Sequence, residues 1–329
     1  MPTPLPHRHA AGDAAGSGAS ASWTFEGLPG ITLFERGWLS SNNILLTDTA
    51  CAALVDSGYQ TDAAATVELV QNALGSRPLD LLVNTHLHAD HCGGNARLLR
   101  AYSSRLALPA NAMAMASNWQ EEVLPFRSLG QRCEPFAVPA DTTLALRAGQ
   151  SLRLADLDWQ VLDAPGHIAE SVMLYAPRAG LLISADALWE NGFGAIFPEV
   201  EQQSGFAEQR AVLDLIRSLD VYCVLPGHGR PFTDVSRALD NAYARLQYLA
   251  SEPARNARQA LKVLIAFRLM SSAPMSEAQL FTVMSEARTW RAAAATLAPE
   301  SAWHDLLDGT LGDLLRAGAI RREGALLAA

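Results

Sequence analysis

Several residue types and patterns that mark common protein classes are scarce in this chain of 329 residues. It has four cysteines, with neither CxxC spacing nor the density of a disulfide scaffold, which excludes a small disulfide-stabilised module. No apolar run approaches the length of a membrane span, which excludes a helical membrane protein. Acidic residues outnumber basic ones, 34 to 25, and this argues against nucleic acid as a partner of the whole chain, although a local basic patch is compatible with it.

The first 22 residues lack a further pattern, the apolar core of a secretion signal. They are rich in Ala, Gly, Ser and Pro, and we expect residues 1–22 to form a disordered tail. Together with the scattered cysteines, this predicts a reducing, cytoplasmic location. Hydrophobic residues make up 49% of the chain, which is enough to build a sizeable core.

Ligand-type side chains are concentrated in residues 85–94, THLHADHCGG. The apolar run 81–83 predicts a buried strand that leads into them. Side chains on an extended strand end repeat every two residues, so His86 and His88 point the same way, and the short spacer lets Asp90 and His91 turn toward a second point. Imidazole nitrogen and carboxylate oxygen are ligands of zinc, iron and manganese. The stretch therefore predicts a site for two metal ions, and its glycine pair predicts a tight backbone bend into a helix.

Three further predicted strand ends carry a His or an Asp. They are His167 in APGH, Asp186 in SADA and His228 in LPGHG. Such ends are where a sheet scaffold usually presents functional side chains. Strands alternate with helices up to a predicted helix over 111–124, and a run of strands follows, which suits two sheets packed face to face with helices outside.

In this order, HxHxDH with its glycine pair, PGH, an Asp after a strand, and PGHG resemble the metallo-β-lactamase superfamily over residues 23–236. The resemblance implies an α/β (α+β) fold, the αββα sandwich, with metals at one edge of the two sheets. It also implies a ligand set: His86, His88 and His167 for the first ion, Asp90, His91 and His228 for the second, and Asp186 between both.

The resemblance implies a hydrolase with two divalent ions, zinc being expected and iron or manganese the alternatives, about 3.5–4 Å apart. We expect a metal-bridging hydroxide to attack a thioester or lactone carbonyl, with Asp90 as the catalytic residue that positions it and passes a proton to the leaving group. Hydrolysis of β-lactams is disfavoured, because the secreted branch replaces some of these ligands. The alternatives are a metallo-nuclease or phosphodiesterase, and a mononuclear iron persulfide dioxygenase that uses His86, His167 and Asp186. A non-enzymatic regulator would require duplex binding, which the acidic balance disfavours.

Aromatic residues after Asp186 are candidates for substrate binding. Trp189, Phe193 and Phe197 form either an apolar loop over the metals or a piece of core or dimer contact. Trp119 and Phe126 are weaker candidates of the same kind.

Four polar residues near the predicted ligands have roles that the sequence leaves open or assigns to structure. Asp56 is either in contact with the site or held by a structural hydrogen bond to loop backbone, and we expect the latter. Cys92 is either a redox or ligand residue or a packed thiol, and we expect the packed thiol. Asp163 and Glu170 are either supports for His167 or solvated charges.

Residues 237–329 indicate a helical C-terminal domain with a final small hairpin and a capping box at Ser276–Gln279. This resembles the winged-helix-like cap of some hydrolases of the superfamily, including the group named for human β-lactamase-like protein 2. On its second helix Arg255, Arg258 and Lys262 share one face. They are candidates to grip a carboxylate or phosphate of a thiol carrier, and a solvated face is the alternative. We expect a small-molecule substrate and no membrane partner; a homodimer is left open.

Overall fold

The computed structural model describes residues 4–10, 19–118, 127 and 129–329. These residues form a sheet of eight strands, a second sheet of five, and a two-stranded hairpin. The strands of the first sheet follow chain order: β1 (Pro6–Ala10), β2 (Ala19–Phe25), β3 (Leu28–Arg36), β4 (Asn43–Thr47), β5 (Ala52–Val55), β6 (Leu81–Val83), β7 (Arg105–Pro109) and β8 (Leu144–Leu146). Neighbours from β1 to β5 pair antiparallel, whereas β5 to β8 run parallel.

The second sheet has the order β13-β12-β11-β10-β9. Its strands are β9 (Ser151–Leu154), β10 (Leu157–Asp163), β11 (Val172–Ala176), β12 (Leu181–Ala185) and β13 (Cys223–Pro226). Only β12 and β13 pair in parallel within it. In β10 the side chains of Leu157, Trp159 and Val161 are buried while those between them are exposed, as expected for a strand with one face on the core.

Helices cover the outer faces of both sheets. In chain order they are α1 (Ala63–Leu74), α2 (Ala89–Cys92), α3 (Asn95–Tyr102), α4 (Met113–Ala116), α5 (Phe197–Val200), α6 (Phe206–Ser218) and α7 (Val235–Ala250). One apolar core lies between the sheets, a second joins the first sheet to α1 and α3, and a third joins the second sheet to α6 and α7. The predicted αββα sandwich is therefore confirmed. Of the helix predicted over 111–124, α4 lies in the described part, and residues 119–124 lie outside it.

The C-terminal region is helical and ends in the expected hairpin. Its elements are α8 (Pro253–Met270), α9 (Glu277–Glu286), α10 (Arg288–Leu297), α11 (Trp303–Arg316), β14 (Arg321–Glu323) and β15 (Leu326–Ala328). Both hydrogen bonds of the predicted capping box at Ser276 and Gln279 are present. The apolar core of this region also takes in Leu129, Phe197 and Val200, so it packs against loops of the sandwich. None of the described helices has the length and apolar character that a bilayer span requires.

Two boundaries differ from the prediction. The disordered tail over residues 1–22 is wrong for residues 6–10 and 19–22, because β1 and β2 pair with each other and β2 pairs with β3. The backbone groups at the edge of β3 pair with β2, and those of β2 pair with β1, so these strands form without a long apolar run. The predicted domain boundary after residue 236 falls inside α7, a helix that shares its apolar core with the second sheet. The winged-helix character of the C-terminal region stays a prediction.

Candidate metal centre

The stretch 85–94 leaves β6 and continues through α2. His86 and His88 precede α2, Asp90 and His91 lie in it, and all four are buried. The glycine pair packs this turn against loop 57–60: a Cβ on Gly93 would lie 2.6 Å from the backbone nitrogen of Gln60, and one on Gly94 would lie 2.4 Å from the carbonyl oxygen of Ser57. Both glycines have ordinary helical φ values of −63° and −81°. They therefore permit close backbone packing rather than the tight bend that we predicted.

The remaining three ligand-type residues follow strands of the second sheet. His167 lies after β10, Asp186 directly after β12, and His228 after β13. Because β12 and β13 are parallel, their carboxyl ends meet at one edge, and Asp186 and His228 become neighbours. Gly227 leaves room for this, since a Cβ there would lie 2.5 Å from Asp186 Oδ1. All four strand ends thus converge.

The first group consists of three histidines. His88 Nδ1 lies 3.1 Å from His86 Nε2 and 2.7 Å from His167 Nε2. The three ligand atoms lie within 4.8 Å of one another, and all three residues are buried. Three imidazole nitrogens this close together could hold a single cation.

The second group consists of Asp90, His91 and His228, whose ligand atoms also lie within 4.8 Å of one another. His228 Nε2 is 3.3 Å from Asp90 Oδ2. Asp186 stands between the two groups: its Oδ2 is 3.3 Å from His167 Nε2, while its Oδ1 is 3.3 Å from His91 Nε2 and 3.8 Å from His228 Nε2. The two oxygens of the Asp186 carboxylate therefore contact different ligand groups.

Partners outside the ligand set fix the ring orientations. Asp56 Oδ2 lies 2.8 Å from His91 Nδ1, and the same carboxylate accepts hydrogen bonds from the backbone NH and the hydroxyl of Thr85. His167 Nδ1 donates to the carbonyl oxygen of Ala195 at 2.6 Å. In both rings Nδ1 faces an oxygen acceptor, which directs Nε2 toward the centre, the orientation that a metal-binding histidine needs. The expected backbone bond of Asp56 is present, and Asp56 also contacts His91, which was the less favoured alternative.

The electrostatics of the cluster combine burial with strong negative charge. Burial and neighbouring histidines lower the pKa of His88 to about 3 and that of His86 well below its usual value. For His91, burial acts to lower the pKa, but Asp186, Asp56 and Asp90 outweigh it and hold the pKa well above the usual value. For Asp186, burial acts to raise the pKa, but His91 and His228 outweigh it and hold it well below. The ionised carboxylates around His91 create a negative potential that favours binding of a cation.

These residues fit two divalent ions. His91 Nε2 is buried and has no hydrogen-bond partner among the described residues, and a metal ion at this atom would satisfy it. Imidazole nitrogens and carboxylate oxygens, without a thiolate, form a donor set for zinc, iron or manganese. Gly194 preserves the space, since a Cβ there would lie 2.7 Å from His167 Nδ1.

The three predicted aromatic residues have different surroundings. Trp189 donates to Asp186 Oδ1 at 3.3 Å, and its ring centroid lies 5.3 Å from that of His228. Phe197 lies on the other side of the centre, about 6 Å from the rings of His88 and His167 (6.1 and 6.0 Å). Phe193 is fully buried in the core between the second sheet and its helices, so for this residue the core alternative is correct.

Sequence reasoning missed Trp38, which is 62% exposed and stacks on His228 with ring centroids 5.5 Å apart. The loop that follows it is tied to the centre, because Ser41 NH donates to the carbonyl oxygen of Asp90 and the Asn42 side chain donates to that of Pro226. A bulky aromatic residue before a run of small polar residues was the available signal.

A cavity of about 290 Å³ opens beside the first group. We call it the near cavity; its apolar wall is formed by Met115, Leu129, Ile168 and Phe197, and it reaches His88 and His167. Glu170 lies on its rim, whereas Asp163 does not line it. Trp119 and Phe126 lie outside the described residues.

The other predicted residues lie apart from the centre. Cys92 is buried with its sulfur 3.9 Å from that of Cys133, which agrees with a packed thiol. Arg255 pairs with Glu252 and stacks on Tyr248, and Lys262 pairs with Asp313. None of the predicted basic residues Arg255, Arg258 and Lys262 lines the near cavity, so their role in substrate binding stays a prediction without support from the structure.

Two curated proteins resemble this chain. The acyl-coenzyme A thioesterase MBLAC2 of Bos taurus is 30% identical over 189 residues, which cover 54% of this chain and 64% of that protein. This chain thus spans less than two thirds of that thioesterase. A hydroxyacylglutathione hydrolase of Synechococcus sp. (strain JA-2-3B'a(2-13)) is 28% identical over 211 residues, 64% of this chain and 69% of that protein.

A solved structure and a family model identify the fold and the family. The metallo-beta-lactamase family protein TTHA1429 from Thermus thermophilus has the same fold, with a TM-score of 0.56 at 22% identity over 92% of this chain and 99% of that one. A family model, that of the metallo-beta-lactamase superfamily, matches residues 36–228, which include all seven ligand-type residues and more than half of the chain. The chain belongs to the metallo-beta-lactamase superfamily.

Proposed function

We propose that the protein is a metal-dependent hydrolase of acyl thioesters that binds two divalent ions. The observation that carries this proposal is the position of Asp186, whose two carboxylate oxygens face two separate groups of buried ligand atoms. A mononuclear dioxygenase would need only His86, His167 and Asp186. The second group, in which the buried His91 Nε2 lacks a hydrogen bond from a described residue, favours two ions over one.

His86, His88 and His167 would hold one ion, and Asp90, His91 and His228 the other, with Asp186 shared. When bound, two such ions supply Lewis acidity, which polarises a carbonyl group and lowers the pKa of water. The protein supplies the orientation: Asp56 and the carbonyl oxygen of Ala195 hold His91 and His167 with Nε2 toward the centre.

Asp90 is the residue that we propose for proton transfer. Its side chain is 13% exposed, against 5% for Asp186 and 4% for Asp56, so it is the carboxylate of the cluster with access to solvent and substrate. Hydrolysis forms a carbon–oxygen bond to water and breaks the carbon–sulfur bond. Asp90 accepts the proton that the water loses and delivers it to the departing thiolate, so that a carboxylic acid and a thiol are the products.

The near cavity supports an acyl substrate. Its volume of about 290 Å³ and its wall of Met115, Leu129, Ile168 and Phe197 suit a short or medium acyl chain that ends beside His88 and His167. The names of the two curated relatives, a thioesterase and a hydrolase of a hydroxyacylglutathione, favour a thioester over a lactone.

The test combines metal analysis with a hydrolysis panel. We expect about two equivalents of zinc, iron or manganese per chain, and turnover of acyl-coenzyme A or glutathione thioesters above that of lactones and bis-nitrophenyl phosphate. The Asp90→Asn variant should lose turnover by about 10²-fold or more while it folds normally. One equivalent of iron with oxygen uptake, or phosphodiester hydrolysis alone, would refute the proposal.

A further inference from the structure

A second, larger cavity lies between loop 129–133 of the sandwich and the C-terminal helices. Its volume is about 620 Å³. We call it the arginine cavity, because it is lined by Arg127, Arg132, Arg268, Arg288 and Arg291. Glu286 is the one carboxylate that the described residues add to this lining. In a chain with a net charge of −9, so many cations around one cavity form a local positive site.

Of Arg132, Arg268, Arg288 and Arg291, one forms an ion pair with a described carboxylate. Arg288 pairs with Glu201 at 2.7 Å. Arg132, Arg268 and Arg291 have no ion pair with a described carboxylate, and the Arg291 guanidinium donates to the carbonyl oxygens of Ser285 and Glu286. Arg268 Nε is buried and lacks a hydrogen-bond partner among the described residues. Burial and the nearby Arg132 lower the pKa of Arg268, which agrees with an environment short of negative charge.

The arginine cavity adjoins the near cavity. Arg288 lines both, and the neighbouring residues Leu129 and Gly130 line the near cavity and the arginine cavity respectively. A single elongated molecule that occupies both would place one end beside His88 and His167 and the other among the guanidinium groups. The junction is at Arg288, which Glu201 holds in place.

The chemistry of this lining selects the ligand. Guanidinium groups bind phosphate through paired, charge-assisted hydrogen bonds, and several of them together favour a ligand with more than one phosphate. The volume is that of a nucleotide-sized group. The glutathione part of a thioester carries two carboxylates and an ammonium group, which leaves it a single net negative charge. It would leave most of this positive charge without a partner.

We propose that the arginine cavity binds the phosphorylated end of the thiol carrier, so that the preferred substrates are thioesters of a carrier with two or more phosphates, such as coenzyme A. This inference rests on the proposed thioester hydrolysis. The anion-binding residues are then Arg132, Arg268, Arg288 and Arg291. Arg268 lies near the end of the helix on which the sequence had indicated Arg255, Arg258 and Lys262 for this role.

The experiment uses the metal-loaded full chain and two substrates with the same acyl group, an acyl-coenzyme A and the acyl-pantetheine that lacks all phosphates. Arg291→Ala and Arg268→Gln should each raise KM for acyl-coenzyme A about tenfold, the effect of one lost charge-assisted contact, with kcat nearly unchanged. Kinetics on acyl-pantetheine should not change. In Arg268→Lys the KM for acyl-coenzyme A should rise less than in Arg268→Gln, because lysine restores the positive charge but not the paired hydrogen bonds of a guanidinium group.

Arg178→Ala is the matched control. Arg178 is exposed in the turn between β11 and β12, at the opposite end of β12 from Asp186, so it should leave both substrates unaffected. The KM for acyl-coenzyme A should also rise with ionic strength, while that for acyl-pantetheine should not.

Binding of coenzyme A itself, measured by calorimetry, separates failure of this inference from failure of the proposed function. If the protein hydrolyses acyl-coenzyme A and acyl-pantetheine equally and the arginine variants change neither, the inference is wrong while the thioesterase stands. If no thioester is hydrolysed but coenzyme A binds in an Arg291-dependent way, the phosphate site stands and the proposed function fails. Binding of a single-stranded oligonucleotide in place of coenzyme A, with the same dependence on Arg291, would overturn the inference in favour of nucleic acid.

Discussion

The candidate metal centre and the arginine cavity contrast in burial, in charge and in how their side chains are held. In the centre, ligand atoms are buried, and outer partners such as Asp56 and the Ala195 carbonyl fix the orientation of individual rings. In the cavity, side chains such as Arg132 and Arg291 are exposed on loops and helix surfaces. A buried cluster depends on every member, because each missing charge or hydrogen bond leaves another group uncompensated. In an exposed set of like charges, each arginine contributes only part of the attraction for an anion, so the loss of one of them weakens anion binding by a limited factor.

The largest effect is expected at the residue shared by both ligand groups. Asp186→Ala should reduce thioester hydrolysis by about 10³-fold or more and bring the bound metal well below two equivalents, because it removes a ligand from each group. Metal analysis after dialysis and steady-state kinetics measure this. Asp163→Ala, an exposed substitution at the end of β10, is the control. Full metal content and normal turnover in Asp186→Ala would show that the cluster is not a shared centre.

A smaller effect is expected just outside the ligands. Asp56→Asn replaces the carboxylate that accepts the proton of His91 Nδ1, and should weaken binding of one of the two ions about 10- to 100-fold. Competition with a coloured chelator measures it. Asp48→Asn, at an exposed turn whose carboxylate accepts only backbone hydrogen bonds, should bind metal normally. Equal metal affinity in the Asp56 and Asp48 variants would mean that His91 needs no orienting partner.

Next in size is a paired test of two phenylalanines. Phe197→Leu should raise KM for medium-chain thioesters about fivefold and leave acetyl thioesters unchanged, because the ring lines the near cavity. Phe193→Leu alters only the core, and should lower Tm without any change in chain-length preference. If the two variants gave the same chain-length profile, the near cavity would not be the acyl site.

The smallest effect is expected at Lys262, whose ammonium group pairs with Asp313 on α11. Lys262→Ala should change KM for acyl-coenzyme A by less than about twofold, as is usual for a surface substitution. Comparison with Arg268→Gln on the same helix provides the contrast. A tenfold rise in KM for Lys262→Ala would instead support the original interpretation of the Arg255, Arg258 and Lys262 face.

The candidate centre could be predicted from the sequence because its residues are marked locally. His86, His88, Asp90 and His91 lie within six positions, and the other three ligand-type residues each follow a readable strand. The residues that contact the ligands from outside were harder to predict, because Asp56 reaches His91 and Trp38 reaches His228 only through tertiary packing. The arrangement of α8 shows the same limit. Spacing places Arg255, Arg258 and Lys262 on one face, but the buried Ala260, Leu261 and Leu264 fix which side meets the protein, and this leaves Arg268 at the cavity. The pairing of β2 with β3, and of β1 with β2, uses free strand edges, which no local pattern reports.

The convergence of four strand ends has a mechanical consequence. Ligand-type residues between positions 86 and 228 come from both sheets. A pair of bound ions would therefore cross-link the two halves of the sandwich and close a long loop of the chain. Stripping the ions would then loosen the joint between the sheets as well as stop turnover, and the metal-free chain should melt at a lower temperature across its whole core rather than in one local segment.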